Sequence, residues 1–233
     1  GTGPRPIVKN ATGVGLDNVS ANVKFNAVVG IYFQKGSEPP ATSVRWLGPT
    51  TNFLIEDCVM EGGMIFQATN PGDQKNIALR RCLVLDAYNP VKVQGVFCQN
   101  IDGLLLDENI FDNNGYLDTI GSIKPNSLVV NHNVYVQHDC NNFTARRNIS
   151  MRAPSHGLQA RPGGIVEDNL FINNAFGLVY ASSDFVITGP GSVSRNVILD
   201  GKDIPRTGDT TLFRAWGIEI TNYPADFPLT VAD

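Results

Sequence analysis

Apolar residues along this chain come in short runs of about four, rich in Val, Ile, Leu and Phe, broken by Gly, Asn, Asp and Pro. No apolar stripe of 3.6-residue period is sustained, so the pattern predicts short strands and no crossover helix. The runs recur around a fixed unit in which an apolar pair is followed by charged or polar residues, then Asn or Cys. It reads Leu54-Ile55-Glu56-Asp57-Cys58, Ala78-Leu79-Arg80-Arg81-Cys82, Leu105-Leu106-Asp107-Glu108-Asn109, Thr144-Ala145-Arg146-Arg147-Asn148, Ile165-Val166-Glu167-Asp168-Asn169 and Val193-Ser194-Arg195-Asn196. The anchors at 58, 82, 109, 148, 169 and 196 are 24, 27, 39, 21 and 27 residues apart, within the range of solenoid repeats. One rung per repeat predicts an all-β, right-handed, single-stranded parallel β-helix of about eight rungs.

The charge before each anchor alternates from acidic to basic through all six units. Opposite charges on facing strands stabilise and like charges destabilise, so the alternation suits a parallel in-register stack. The anchors then form an internal column. Asn tolerates a left-handed bend, and Asn109, Asn148, Asn169 and Asn196 are expected to bond amide to amide as stacked chains do. Cys58 and Cys82 fill the same slot as small apolar groups.

These strand–turn–Asn–strand rungs, with runs such as Asn148-Ile149-Ser150, Ser155-His156-Gly157-Leu158-Gln159 and Asp168-Asn169-Leu170-Phe171, resemble the pectate-lyase-like superfamily of right-handed β-helices. The likeness covers roughly residues 50 to 200, and the stretch from Asn22 to Phe33 reads as an earlier, looser rung. It is specific for fold and weak for activity, since this fold hosts many functions. It implies a polysaccharide partner, a groove along one sheet, and a secreted, extracellular or periplasmic setting.

Composition adds bounds. The 233 residues make one domain, 1–233, expected to lack an N-terminal cap, with 202–233 as a possible C-terminal covering segment. A net charge of −4 with scattered Lys and Arg argues against a nucleic-acid partner. No apolar run approaches the ~20 residues of a membrane span. Bare solenoid ends would be open sheet edges, which points to end-to-end or oligomeric packing. The four cysteines lack zinc spacing. Cys98 and Cys140 fall at what reads as one rung position, so a bridge between them and four free buried thiols both stay open.

Candidate chemistry gathers on one sheet. Met64-Ile65-Phe66-Gln67, Val91-Lys92-Val93-Gln94, Val134-Tyr135-Val136-Gln137, Leu158-Gln159-Ala160-Arg161 and Leu178-Val179-Tyr180-Ala181 align as equivalent strands. Strand alternation places Met64, Phe66, Val91, Val93, Val134, Val136, Leu158, Ala160 and Leu178 inside. Ile65, Lys92, Tyr135, Gln159 and Val179 then face out, and Gln67, Gln94, Gln137 and Arg161 form a polar row at the strand ends. His132 and His156 align before their strands, and His138 follows the same sheet. A uronate lyase or epimerase needs a cation for the carboxylate, a base for the α proton and an acid for the leaving oxygen. Arg161 and Lys92 suit the first task, His132 or His156 the second, and Tyr135 the third or both proton steps. His156, Gln159, Gln137 and His138 are the expected substrate contacts. No metal or other cofactor is expected; calcium has only loop carboxylates such as Asp107-Glu108 and Asp112 to call on. The competing expectation is a non-catalytic rod that binds glycan or builds a fibre or tail-spike-like assembly, its polar rows being ordinary solvated surface.

Overall fold

A computed structural model describes the chain except residues 1–2, 11–12, 36–41, 89–92, 117–130, 183, 186, 188, 202–203, 207–208, 215 and 233. It is all-β, with three parallel sheets of eight strands each, the arrangement of a parallel β-helix. The chain visits the sheets in turn. The first sheet runs from Ile7–Asn10 to Val197–Leu199, the second from Val14–Asn18 to Trp216–Thr221, and the third from Val23–Val29 to Leu229–Ala232. A short antiparallel pair, Ile204–Arg206 with Asp209–Arg214, stands apart from them. The stretch from Asn22 to Phe33 holds the strand Val23–Val29 of the third sheet and the start of Tyr32–Lys35 of the first, and the C-terminal segment supplies the last strands of two sheets.

The inward side chains of the three sheets make one continuous core. Phe53, Ile55, Ile77, Leu79, Leu104 and Leu106 come from the third sheet, Met60, Val84 and Phe111 from the first. The second sheet contributes Met64, Phe66, Val134, Val136, Leu158, Ala160 and Leu178, the interior positions expected from alternation. Trp46 stacks on Phe53 with ring centroids 4.3 Å apart.

The alternating charges stand in register on the third sheet: Glu56 faces Arg80, Arg80 faces Asp107, Asp107 faces Arg146, and Arg146 faces Glu167. The next residue of each unit forms a second row, tied to the first. Arg81 reaches Glu56 at 2.7 Å and Asp57 at 3.1 Å; Arg147 reaches Asp107 at 2.7 Å; Arg195 reaches Asp168 at 2.7 Å and Glu167 at 2.9 Å.

The anchor column is an amide ladder. Asn109 Nδ2 donates to Asn148 Oδ1, Asn148 Nδ2 to Asn169 Oδ1, and Asn169 Nδ2 to Asn196 Oδ1, all at 2.9–3.0 Å. Each amide also donates to a strand carbonyl, such as Leu106 O for Asn148. Cys82 N–H donates to Asn109 Oδ1, which joins the thiol rungs to the ladder. The left-handed bend, however, does not sit on the Asn. It falls on the charged residue before it, with φ of 48–59° at Asp57, Arg81, Glu108, Arg147, Asp168 and Arg195. The bend turns the following side chain inward, so the anchor can join the ladder only if its neighbour takes the strain, about 1–2 kcal/mol for a residue with a Cβ.

All four cysteines are free and buried. Cys98 lies within the strand Val96–Gln99 opposite Phe66 and Val136, whereas Cys140 lies in the turn after that neighbouring strand. They do not share a rung position, which corrects the alignment behind a possible bridge. Burial pushes the Cys98 thiol well above its ordinary pKa and the Cys140 thiol up to about 12.

Candidate functional site

The outer face of the second sheet holds most of the expected group. In register, its outward column runs Ile65, Phe97, Tyr135, Gln159, Val179 and Glu219. The aligned strand after Ile65 is therefore Val96–Gln99, not Val91–Gln94, and Phe97 takes the slot expected for Lys92. Lys92 lies outside the described residues, as does Val91. The run Val91-Lys92-Val93-Gln94 alternates as well as Val96-Phe97-Cys98-Gln99, and spacing alone did not separate them. The polar row shifts with it and reads Gln67, Gln99, Gln137 and Arg161: Gln67 Nε2 donates to Gln99 Oε1 at 2.8 Å, and Gln99 Nε2 to Asp139 Oδ2 at 3.0 Å. Val179, expected outside on this face, is covered, at 5% exposure against Phe176 and Ala175.

His132 and His156 face each other across neighbouring strands, as their spacing requires. Neither lies on a solvated surface: they are 1% and 4% exposed. Their rings belong to a stack that starts at Tyr135. Tyr135 lies 4.8 Å from His132, His132 lies 4.4 Å from His156, and His156 lies 4.5 Å from Phe176, all near parallel. Trp216 closes the row edge-on at 5.4 Å. Offset aromatic pairs of this kind contribute about 0.5–1.5 kcal/mol each beyond area burial. Phe176 and Trp216 were not among the expected residues, yet the signal was present: His156-Gly157-Leu158, Phe176-Gly177-Leu178 and Trp216-Gly217-Ile218 repeat one aromatic–Gly–aliphatic triplet. The glycines are needed for close approach. A Cβ on Gly157 would lie 2.7 Å from Gly177 O, and one on Gly177 would lie 2.6 Å from Gly217 O.

Tyr135 and Arg161 meet at the end of this stack. Arg161 Nη1 donates to Tyr135 Oη at 2.7 Å and to Gln137 Oε1 at 3.1 Å. Its other nitrogens donate to Ser182 Oγ, at 3.0 and 2.8 Å, and to Asp184 Oδ2 at 2.8 Å. The guanidinium is thus held on three sides with 12% of its side chain exposed, whereas its Asp184 partner is 66% exposed. Gln159 stands in register beside Tyr135, one strand on. His138 stacks on Phe185 with centroids 3.3 Å apart, and the Arg161 guanidinium lies 5.4 Å from the same ring.

Two adjoining recesses open at this corner, where the second sheet turns into the third. The smaller, about 290 Å³, is bounded by His138, Asn141, Arg161, Pro162 and Phe185 among others. The larger, about 740 Å³, shares Cys140, Asn141 and Pro162 with it and continues past Lys75, Asp102 and Asn142 between Pro71 and Pro190. Volumes of this order suit one or more sugar rings. Lys75 and Asp102 face each other across strands, and Asn142 Nδ2 donates to Asp102 Oδ1 at 2.7 Å. This groove was not expected, because its strand residues Lys75, Asp102 and Asn142 are walled by turn residues such as Pro71, Pro162 and Pro190, whose directions have no period.

Among the described residues no three His, Cys, Asp or Glu side chains are grouped so as to hold a metal ion. Asp107 and Asp112, the named calcium candidates, are instead engaged by Arg146, Arg147 and Arg152. No helix is long and apolar enough to cross a membrane among the described residues. Comparisons with protein-family models, curated proteins and solved structures return no match to this chain.

Proposed function

We propose that this chain is a right-handed, pectate-lyase-like β-helix that binds an extracellular uronic-acid polysaccharide and acts on it by proton abstraction and β-elimination, or by epimerisation. The observation that carries the reading is the Tyr135–Arg161 pair, 2.7 Å apart at the mouth of a long groove. Arg161 is a carboxylate fork already holding one carboxylate, that of the exposed Asp184. A uronate carboxylate has the same shape and charge and takes its place. Tyr135 then stands beside the carbon α to that carboxylate.

In β-elimination Tyr135 acts as its phenolate, its own proton having passed to solvent. Oη takes the C5 proton, the C4–O bond breaks with its electron pair on the leaving oxygen, and a C4–C5 double bond remains. Tyr135 returns the proton to the leaving oxygen. In epimerisation Tyr135 keeps the abstracted proton and later loses it to solvent, a water on the opposite face delivers a proton to C5, and no bond to the chain is cut. The Arg161 cation next to the phenolic oxygen favours negative charge there during transfer. His132 supports the Tyr135 ring from behind, which is a positioning role and differs from the general base expected of it. Gln159, Gln137 and His138 border the path as polar contacts, and the larger groove takes the neighbouring sugars.

The test is ultraviolet absorbance of the unsaturated product after incubation with pectate, alginate and chondroitin, alongside a binding measurement on each. A rise that disappears in Tyr135→Phe supports elimination. Binding with no rise and no change at C5 by NMR leaves a glycan-binding solenoid. No binding to any uronan overturns the reading and favours the structural rod, which the outer face of the first sheet independently suggests.

A further inference from the structure

The outer face of the first sheet differs in kind from the other two. Its leading column reads Val59, Leu83, Ile110, Ile149, Leu170 and Val197, paired strand to strand without a polar break. Two positions on, Leu85, Met151, Ile172 and Leu199 extend the apolar area, while Glu61 and Asp112 hold the other two places of that column and are engaged by Tyr32 and Arg152. Leu83–Leu85, Leu170–Ile172 and Val197–Leu199 are thus apolar on both faces, the composition of a parallel sheet covered on both sides. Yet the leading column keeps surface open to solvent throughout, reaching 50% at Val197, with Leu199 at 48%. A contiguous apolar face of this extent marks an interaction surface.

The charge row beside it names the occupant. Along the turn that enters this sheet run Asp57, Arg81, Glu108, Arg147, Asp168 and Arg195, with side chains 40–51% exposed. A strictly alternating row of even length is complementary to its own reversal. A two-fold axis between the rungs of Ile110 and Ile149, lying in the plane of the face, sets two copies antiparallel. Asp57 then meets Arg195, Arg81 meets Asp168 and Glu108 meets Arg147 of the other copy, opposite signs throughout. The same operation lays Val59 on Val197, Leu83 on Leu170 and Ile110 on Ile149. In the second column it lays Leu85 on Ile172, with Glu61 and Asp112, each already paired within its own copy, beside Leu199 and Met151. On the far edge of the sheet it sets Gly62 by Asp200, Asp86 by Asn173 and Asn113 by Arg152, so no like charges are opposed there.

We infer that the first sheet is the interface of an antiparallel homodimer, self-complementary in both shape and charge. Six rungs at about 4.8 Å, with a width of about 20 Å including the flanking turns, give about 600 Å² per copy, at the lower end of stable specific interfaces.

Sedimentation velocity over a concentration series tests this. The wild-type chain is expected to run as a dimer of the 25.2 kDa protomer. Ile149→Lys, next to the axis, is expected to raise the dimer dissociation constant at least tenfold, while Thr144→Lys on the outer face of the third sheet leaves it unchanged. Glu108→Lys and Arg147→Glu each weaken the dimer, and the two together restore it. Circular dichroism checks that each variant is folded, and Leu170→Lys replaces Ile149→Lys if the latter is not. A wild-type chain that stays monomeric at every concentration overturns the proposal. So does a dimer that survives both lysine substitutions, which would place the contact on another face, or a charge swap that fails to restore association.

Discussion

Tyr135 Oη accepts a hydrogen bond from Arg161 and keeps a further lone pair to receive a proton from a ligand. Replacing the hydroxyl separates chemistry from structure, because the ring remains in its stack. Tyr135→Phe is expected to keep the fold and glycan binding and to lower turnover roughly 10²–10⁴-fold, the usual worth of a positioned proton-transfer group; single-turnover assays on the responsive uronan check this. His132 is tested the opposite way. As a stacked support it is replaceable by a ring of similar size, so His132→Phe should retain most activity. His132→Ala should lose it together with about 2–4 kcal/mol of stability from the cavity and the broken stack. If His132→Phe is as inactive as Tyr135→Phe, the imidazole itself moves a proton. The roles of these residues were only half legible. Identity and spacing aligned His132 with His156, but burial depends on what lies over them, and that comes from distant Phe176 and Trp216.

At the scale of the element, each rung is fixed by a repeated conflict between bend and ladder. The ladder amide must face inward, so the strained φ moves to a charged neighbour, and ion pairs with the rungs above and below hold that neighbour in place. Asn148→Ala removes the acceptor for Asn109 and the donor to Leu106 O. Two to three buried polar groups without partners imply a loss of about 2–4 kcal/mol, read from denaturant unfolding. The charge row adds a pH dependence. The hydrogen bond from Arg195 holds the Asp168 carboxyl below its ordinary value of 3.8, and the Arg45 pair does the same for Asp17. A carboxyl depressed by folding stabilises the native state above its unfolded pKa and loses that contribution as pH falls through its folded one. Thermal midpoints should therefore fall below about pH 4, and less steeply in Asp168→Asn or in high salt, where exposed pairs are screened. This scale was the most legible in sequence. Strand, anchor and alternating sign recur, and repetition exposes any position that must match its neighbour. Legibility failed where the repeat was ambiguous: the 27-residue step from Cys82 to Asn109 holds two alternating runs, which hid the register of Val96–Gln99, and the turns that wall the groove have no period.

For the whole molecule, what counts is how far along the chain a contact reaches. The ladder bonds join residues 21 apart at Asn148–Asn169 and 39 apart at Asn109–Asn148, and no ladder rung bridges beyond its neighbour. Stability is then close to a sum of rung and rung–rung terms, and opening spreads from the termini inward. Amide exchange should show this as a gradient, slowest around Val134, Leu158 and Phe143 in the central rungs and fastest in Ile7–Asn10 and Leu229–Ala232. Uniform protection across the rod would contradict it. The glycine column sharpens the point. With Gly157 and Gly177 pressed against the next rung's carbonyls, each rung sits on the last with no slack. Gly177→Ala, with a Cβ 2.6 Å from Gly217 O and 2.9 Å from Ile198, should cost about 1–3 kcal/mol. Under tension along its axis, such a column should yield at that step first. The molecule would come apart as a row of separate ruptures, one rung at a time, and a force trace would record a staircase whose first tread is the wedge an added methyl drives between two turns of the coil.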